Sequence, residues 1–349
     1  MTGVRARGED IRRFILNQVE KHSGDIGKIA SDHFGITRQA VNKHLQKLCQ
    51  ENALMEKGNT RSKTYRLAPL VEWRHVYSLT PELAEDVIWR NDISPVISPL
   101  PDNVENIWHY GFTEMFNNAI DHSGGTSIDV RIRKTAVTTE MLLADNGIGI
   151  FKKIQTEMNL LDERHAILEL SKGKLTTDPH NHTGEGIFFT SRMFDSFDIR
   201  SGGIYFNHQF GDDEDWILER EELGNGTLVW MEINNHTSRT IKKIFDQFTS
   251  GDDFGFTKTV VPVILAQYGN DQLISRSQAK RLLARIELFR TVIFNFDGIK
   301  FIGQAFADEI FRVFANRHPE IQLLTMKTNS EVRRMIGRAR GGMTEINED

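Results

Sequence analysis

Between residues 104 and 233 four short motifs follow one another in a fixed order, and they restrict the fold more than any bulk property does. The first lies in a run of helical periodicity, 104–123, where Glu114 and Asn118 stand four apart and so share a face. An acid and an amide stacked in this way can orient a water and hold Mg²⁺ through an oxygen. Two alternating segments, 127–133 and 140–144, then have the period of strands. The second runs straight into Asp145-Asn146-Gly147-Ile148-Gly149, a carboxylate at a strand end beside backbone that two glycines leave free to turn. Thr183-Gly184-Glu185-Gly186 opens another helix, whose first N–H groups suit a phosphate. Last, Gly226-Thr227 introduces the strand 226–233. Any one of these is an ordinary turn or a solvated helix face. Their order and spacing carry the weight.

Over residues 105–230 these motifs resemble the GHKL superfamily of ATPases (gyrase, Hsp90, histidine kinase, MutL). Glu114…Asn118 is similar to its N box, Asp145–Gly149 to its G1 box, Thr183–Gly186 to its G2 box and Gly226-Thr227 to its terminal strand motif. The resemblance implies a multidomain α+β chain whose residues 105–235 form an α/β sandwich, the Bergerat fold, with a mixed sheet under helices and ATP between the layers. It implies Asn118 as the Mg²⁺ ligand, Asp145 on the adenine and Thr227 supporting that contact. Gly147, Gly149, Thr183, Gly184 and Gly186 would shape the phosphate pocket, and Glu114 is the natural catalytic base. The family's lid would fall within 152–182, where Lys172 or Lys174 is a candidate for reaching phosphate; a merely solvated lysine is the alternative. His180 and His182, with no Cys nearby, do not suggest zinc.

Charge divides the 349-residue chain unevenly. Residues 1–70 hold 13 Lys and Arg against 7 Asp and Glu, a surplus of +6, so the other 279 residues carry −11 within a net charge of −5. A basic head on an acidic body points to a polyanionic partner. Ile11, Phe14, Ile15 and Val19 recur at helical spacing, Asp25 can cap a second helix, and Thr37 caps a third over Arg38–Gln50. Ala53–Lys57 and Lys63–Leu67, around Gly58-Asn59, read as a hairpin. The set resembles a winged helix-turn-helix DNA-binding domain over residues 1–70. Arg38, Gln39, Asn42 and Lys43 would present the recognition face, with Arg61 and Lys63 in the wing. A protein-docking role is the alternative. Residues 71–104, with Pro95, Pro99 and Pro101, read as a connector that admits no long helix.

Residues 255–340 alternate strand and helix in a βαβαβα pattern: strands 259–266, 291–296 and 321–326, with helices 275–289, 303–316 and 330–338. This small α/β domain resembles STAS domains, in the run 292–314 above all, and more narrowly a STAS-like domain of unknown function. STAS antagonists carry a phosphorylatable hydroxyl at one helix start. Gly303-Gln304-Ala305-Phe306 stands there and has none. The acidic tail 341–349 reads as disordered.

No apolar run approaches the roughly 20 residues that span a bilayer, the N-terminus has no signal-peptide core, and Cys49 is the single cysteine. These features suit a cytoplasmic protein without a membrane partner. The upstream helix pair of a sensor histidine kinase is missing from this reading. The expected function is therefore an ATP-binding, DNA-associated regulator that hydrolyses ATP to switch its binding to DNA or to a regulatory protein, with a homodimer admissible. A serine/threonine protein kinase of the anti-sigma type, acting on a separate partner, is the alternative.

Overall fold

The computed structural model describes residues 2–59, 62–80, 82–176, 184–211, 216–219, 224–249, 255–267 and 272–341. At the N-terminus three helices, α1 (Thr2–Gln18), α2 (Ile26–Phe34) and α3 (Arg38–Gln50), precede an antiparallel pair, β1 (Leu54–Lys57) and β2 (Thr64–Leu67). The Thr37 hydroxyl accepts from the Ala40 amide at 3.2 Å and so caps α3 as its sequence predicts. Asp25 stands at the cap of α2, but its carboxylate meets His22 Nδ1 at 3.2 Å instead of the helix amides. Ile11, Ile15, Val19, Ile26, Ala30, Val41, Leu45 and Leu48 close a small core of their own, with Leu54 and Leu67 from the hairpin.

The stretch read as a connector contributes to the central domain. Val71–Ser78 forms β3 and pairs along its whole length with β4 (Ser127–Lys134). Helical residues 85–97 follow, as α4 (Glu85–Ile88), a π-turn (Trp89–Ile93) and α5 (Ser94–Ile97). Pro95 falls in the first turn of α5 directly after the π-turn, a place where its missing N–H is tolerated. The long helix α6 (Asp102–His122) comes next, then β4, β5 (Thr138–Asp145), α7 (Ile150–Glu157), α8 (Arg164–Lys172) and α9 (Gly186–Met193). Strands β6 (Ser196–Ser201), β7 (Ile204–Gln209), β8 (Trp216–Glu219) and β9 (Thr227–Asn234) and helix α10 (Ile241–Asp246) complete the unit.

The seven strands run in the order β3-β4-β5-β9-β6-β7-β8, and every pairing is antiparallel. This corrects the mixed sheet expected from the resemblance. The crossover from β5 to β6 leaves those two strands parallel to each other, but β9 inserts between them and pairs antiparallel with both. One face of the sheet is apolar: Ile128, Val130, Ile132, Met141, Leu143, Phe197, Ile199, Val229, Met231 and Ile233 are all buried. Alternation puts these on the side covered by α6 and α9, with Trp108, Phe112, Met115 and Phe116 of α6 above them. The opposite side carries Arg74, Asp129, Arg131, Arg133, Glu140 and Glu232, several of them in ion pairs.

The C-terminal part is a three-stranded parallel sheet, β10 (Lys258–Pro262), β11 (Thr291–Asn295) and β12 (Gln322–Met326). Its helices are α11 (Arg276–Leu283), α12 (Gln304–Asp308), continued by a π-turn and α13 (Ala315–Arg317), and α14 (Ser330–Ala339). Two elements are shorter than their periodicity suggests. Strand β10 turns into a 3-10 helix after Pro262, and α11 stops because Arg285 takes a left-handed φ of 63°.

Candidate functional site

A cavity of about 290 Å³ opens between the helices and the apolar face of the sheet. Four separate segments bring the motif residues to its lining: Glu114 and Asn118 of α6, Asp145 of β5, Gly184 and Gly186 at the start of α9, and Thr227 of β9. The reason is strand and helix period. Asp145 shares a face of β5 with buried Met141 and Leu143, and Thr227 shares a face of β9 with Val229 and Met231, so both side chains point toward the helices. Along α6, Glu114 and Asn118 lie one turn apart beside Met115 and Ala119. Ile150, Ile154, Ile199, Val229 and Phe188 supply apolar wall.

Asp145 is held firmly. Its Oδ1 accepts from the Gly147 amide at 2.8 Å and from the Thr227 amide at 3.2 Å. Burial raises its carboxyl above the usual range, and the Gly147 and Thr227 amides pull in the other direction. The Thr227 hydroxyl accepts from the Ile150 amide at 3.0 Å, which ties β9 to the turn after β5. At the other end of the cavity the backbone of Gly186 lies against the Glu114 carboxylate, so closely that a Cβ there would collide with it. Burial raises Glu185 next to it. Tyr110, one turn before Glu114, also titrates well above its usual value, through burial and then the charges of Glu114 and Glu185. Two carboxylates thus converge on the N-terminus of α9.

Not every residue singled out in the sequence falls in the cavity lining. Gly147 and Gly149 do not line the cavity. A Cβ on Gly147 would strike the Ser123 carbonyl, and one on Gly149 would strike the Ser201 hydroxyl, so both glycines seat the turn against the end of α6 and β6. Lys172 and Lys174 do not reach into the cavity either. Their Nζ atoms bond C-terminal carbonyls, Lys172 those of Arg281 (3.0 Å) and Ala284 (2.8 Å), Lys174 that of Leu288 (3.0 Å). Thr183, His180 and His182 lie outside the described residues, as do Arg61 and most of the acidic tail. Lys153 was missed. It lines the cavity and donates to the His122 carbonyl at 2.9 Å, and its place four residues after Gly149 was the available signal.

Among the described residues no group of three or more His, Cys, Asp and Glu is arranged to hold a metal ion. On the head, Arg38, Gln39, Asn42 and Lys43 all stand exposed on one side of α3. Lys63 is engaged with Glu56 at 2.5 Å and sits over the Tyr65 ring, so its charge is largely answered within the β1–β2 hairpin. Cys49 packs against the head core, and burial raises its thiol.

Residues 278–333 match a family described as a STAS-like domain of unknown function (DUF4325). The matched stretch runs from α11 to the first turn of α14, so the C-terminal part is STAS-like in sequence as well as in its strand–helix order. At the STAS-like helix start, Gly303 caps α12 and no hydroxyl is present, as the sequence reads. A comparison with curated proteins returned no match. Among the described residues no helix is long and apolar enough to cross a membrane.

Proposed function

We propose that the chain binds Mg·ATP in this cavity and hydrolyses it to switch its binding to DNA or to a protein partner. The observation that carries the reading is the convergence of Glu114, Asn118, Asp145, Gly184, Gly186 and Thr227 on one cavity. The chemistry of the lining suits such a ligand. Asp145, fixed by two backbone amides between apolar walls, can accept from the amino group of a flat heterocycle. The N–H groups at the start of α9 can meet phosphate, while Glu114 and Glu185 beside them would repel it unless a cation intervened. Asn118 would hold that Mg²⁺ through its amide oxygen, and the metal would neutralise charge building on the phosphates. Glu114 takes the proton of the attacking water. The exposed polar and basic face of α3 supports DNA as the partner of the head.

A second reading has one observation in its favour. A groove of about 670 Å³, within the range of ligand clefts, also reaches Glu114 and is lined by Asn106, His109, Tyr110, Thr113 and Lys242. It would admit a hydroxyl-bearing protein segment, and the reaction would then be phosphoryl transfer by a serine/threonine kinase.

Both readings meet in one experiment. Titration with a fluorescent ATP analogue and Mg²⁺ should show saturable binding, weakened about 100-fold by Asp145→Ala. Glu114→Ala should still bind but release phosphate about 10²–10⁴ times more slowly. Labelled γ-phosphate appearing on a protein instead of in solution would favour the kinase. A wild-type chain that binds no nucleotide would sink both.

A further inference from the structure

The end of α8 is built from polar contacts that its own domain does not supply. The Lys172 carbonyl accepts from the Thr259 hydroxyl of β10 at 2.7 Å. The carbonyls of Gly173 (3.4 Å) and Lys174 both accept from Nη2 of Arg285. Three consecutive carbonyls at a helix C-terminus, where intrahelical donors run out, are thus satisfied across the domain junction. Side chains repeat the pattern. Lys172, with a side chain only 1% exposed, pairs with Glu169 at 2.8 Å, and the other Glu169 oxygen takes Nη1 of Arg285 at 2.9 Å. The left-handed φ of 63° at Arg285 turns the chain at the point where the guanidinium reaches back.

The next residues enter the cavity. Leu175 and Thr176 line it, and the Leu175 amide donates at 3.0 Å to the carbonyl of Gly184, which lines it too. An unbroken path therefore runs from Arg285 through the Lys174 carbonyl and Leu175 to Gly184. A buried charge network of this kind is costly to form and worth little in stability over apolar packing. Its effect is to admit one arrangement of the atoms it joins.

We infer that Arg285, in the STAS-like domain, is a positioning residue for the cavity: by holding residues 172–176 it sets the wall against which the ligand binds. The inference rests on the nucleotide reading above. It makes ligand affinity depend on the C-terminal domain, and anything that moves Arg285 a means of changing that affinity.

The test uses the full chain, Mg²⁺ and the fluorescent ATP analogue, with amide hydrogen exchange over residues 170–176. Arg285→Ala should weaken binding about tenfold and speed exchange at Leu175 about tenfold. In turnover KM should rise while kcat stays within about threefold, because the wall touches ligand and not the Glu114 base. Arg285→Lys keeps the pair with Glu169 but cannot span two carbonyls, so it should fall between. Should Arg285→Ala fail to fold, Thr259→Val, which removes one hydrogen bond to the same segment, should weaken binding about threefold. A folded Arg285→Ala with wild-type affinity, beside an Asp145→Ala that has lost it, overturns the inference and spares the nucleotide reading. A wild-type chain that binds no Mg·ATP removes both.

Discussion

The two ends of the chain are joined to the central sheet in opposite ways. The N-terminal head closes its own core, and Ala136 and Val137, in the turn between β4 and β5, pack into it, with Leu70 bonded to Lys134 beside them. The STAS-like domain has no separate core. Its buried residues form one cluster with those of the central domain, and the seam is aromatic. Phe256 packs in tilted and edge-on contacts among Phe188 and Phe189 of α9, Phe248 and Phe289. Charge patterning singles out the head as the distinct region, and its own core agrees with that. The more consequential join is the other one, where buried ions and aromatic rings fasten the C-terminal domain to the segment that leads into the cavity wall.

Truncation should show the contrast at its largest. Ending the chain at residue 249 strips the seam from Phe188 and leaves Lys172 and Glu169 without Arg285. We expect loss of more than about 5 kcal/mol, the scale of a whole domain's stability, and no cooperative thermal unfolding. Starting it at residue 70 should leave nucleotide affinity within about threefold. Equal damage from both cuts would break the comparison. At single residues, Phe256→Ala should cost about 3–5 kcal/mol and Val137→Ala about 1–2 kcal/mol by denaturant unfolding.

The polar face of the sheet gives a pH test. Burial, with Glu140 and Asp195 beside it, raises the Glu232 carboxyl from 4.5 to about 7. The folded state then holds its proton more tightly than the unfolded one. Its contribution to stability is complete below about pH 4.5 and is lost as pH rises through about 7. Glu232→Gln should flatten that slope, gaining on the order of 1 kcal/mol at pH 8 relative to wild type and nothing at pH 4. A gap that does not vary with pH would assign Glu232 no such role. The smallest effect is reserved for the head. Arg38→Ala and Lys43→Ala should each lower the salt dependence of DNA binding by about 0.9 in log–log slope, with nucleotide affinity unchanged.

Local chemistry was legible before any coordinates. Thr37 capping α3, Asp145 at a strand end and the Gly186 helix start were each readable because the cause lies within a few residues. The parallel order of β10, β11 and β12 was readable from strand–helix alternation. What escaped depends on distant partners. Strand β3 alternates, but only pairing with β4, some fifty residues on, distinguishes it from an extended linker. Lys172 reads as a phosphate candidate or a solvated lysine; Glu169 stands only three residues before it, but Arg285, 116 residues beyond Glu169, completes the dry seam. Gly147 and Gly149 are readable as a closely packed turn, but the Ser123 and Ser201 groups that crowd them are not.

The insertion of β9 between β5 and β6 has a consequence during synthesis. Asp145 receives its second amide from Thr227, 82 residues later in the chain. As the polypeptide leaves the ribosome N-terminal end first, the head can fold at once from local contacts, whereas β5 and β6 must wait with an open gap between them. Until Thr227–Asn234 emerges, two apolar strand edges stand exposed, and the nascent chain cannot take a ligand into the half-built cavity. The window for misassembly thus opens at β6 and closes only when the seventh strand slides in.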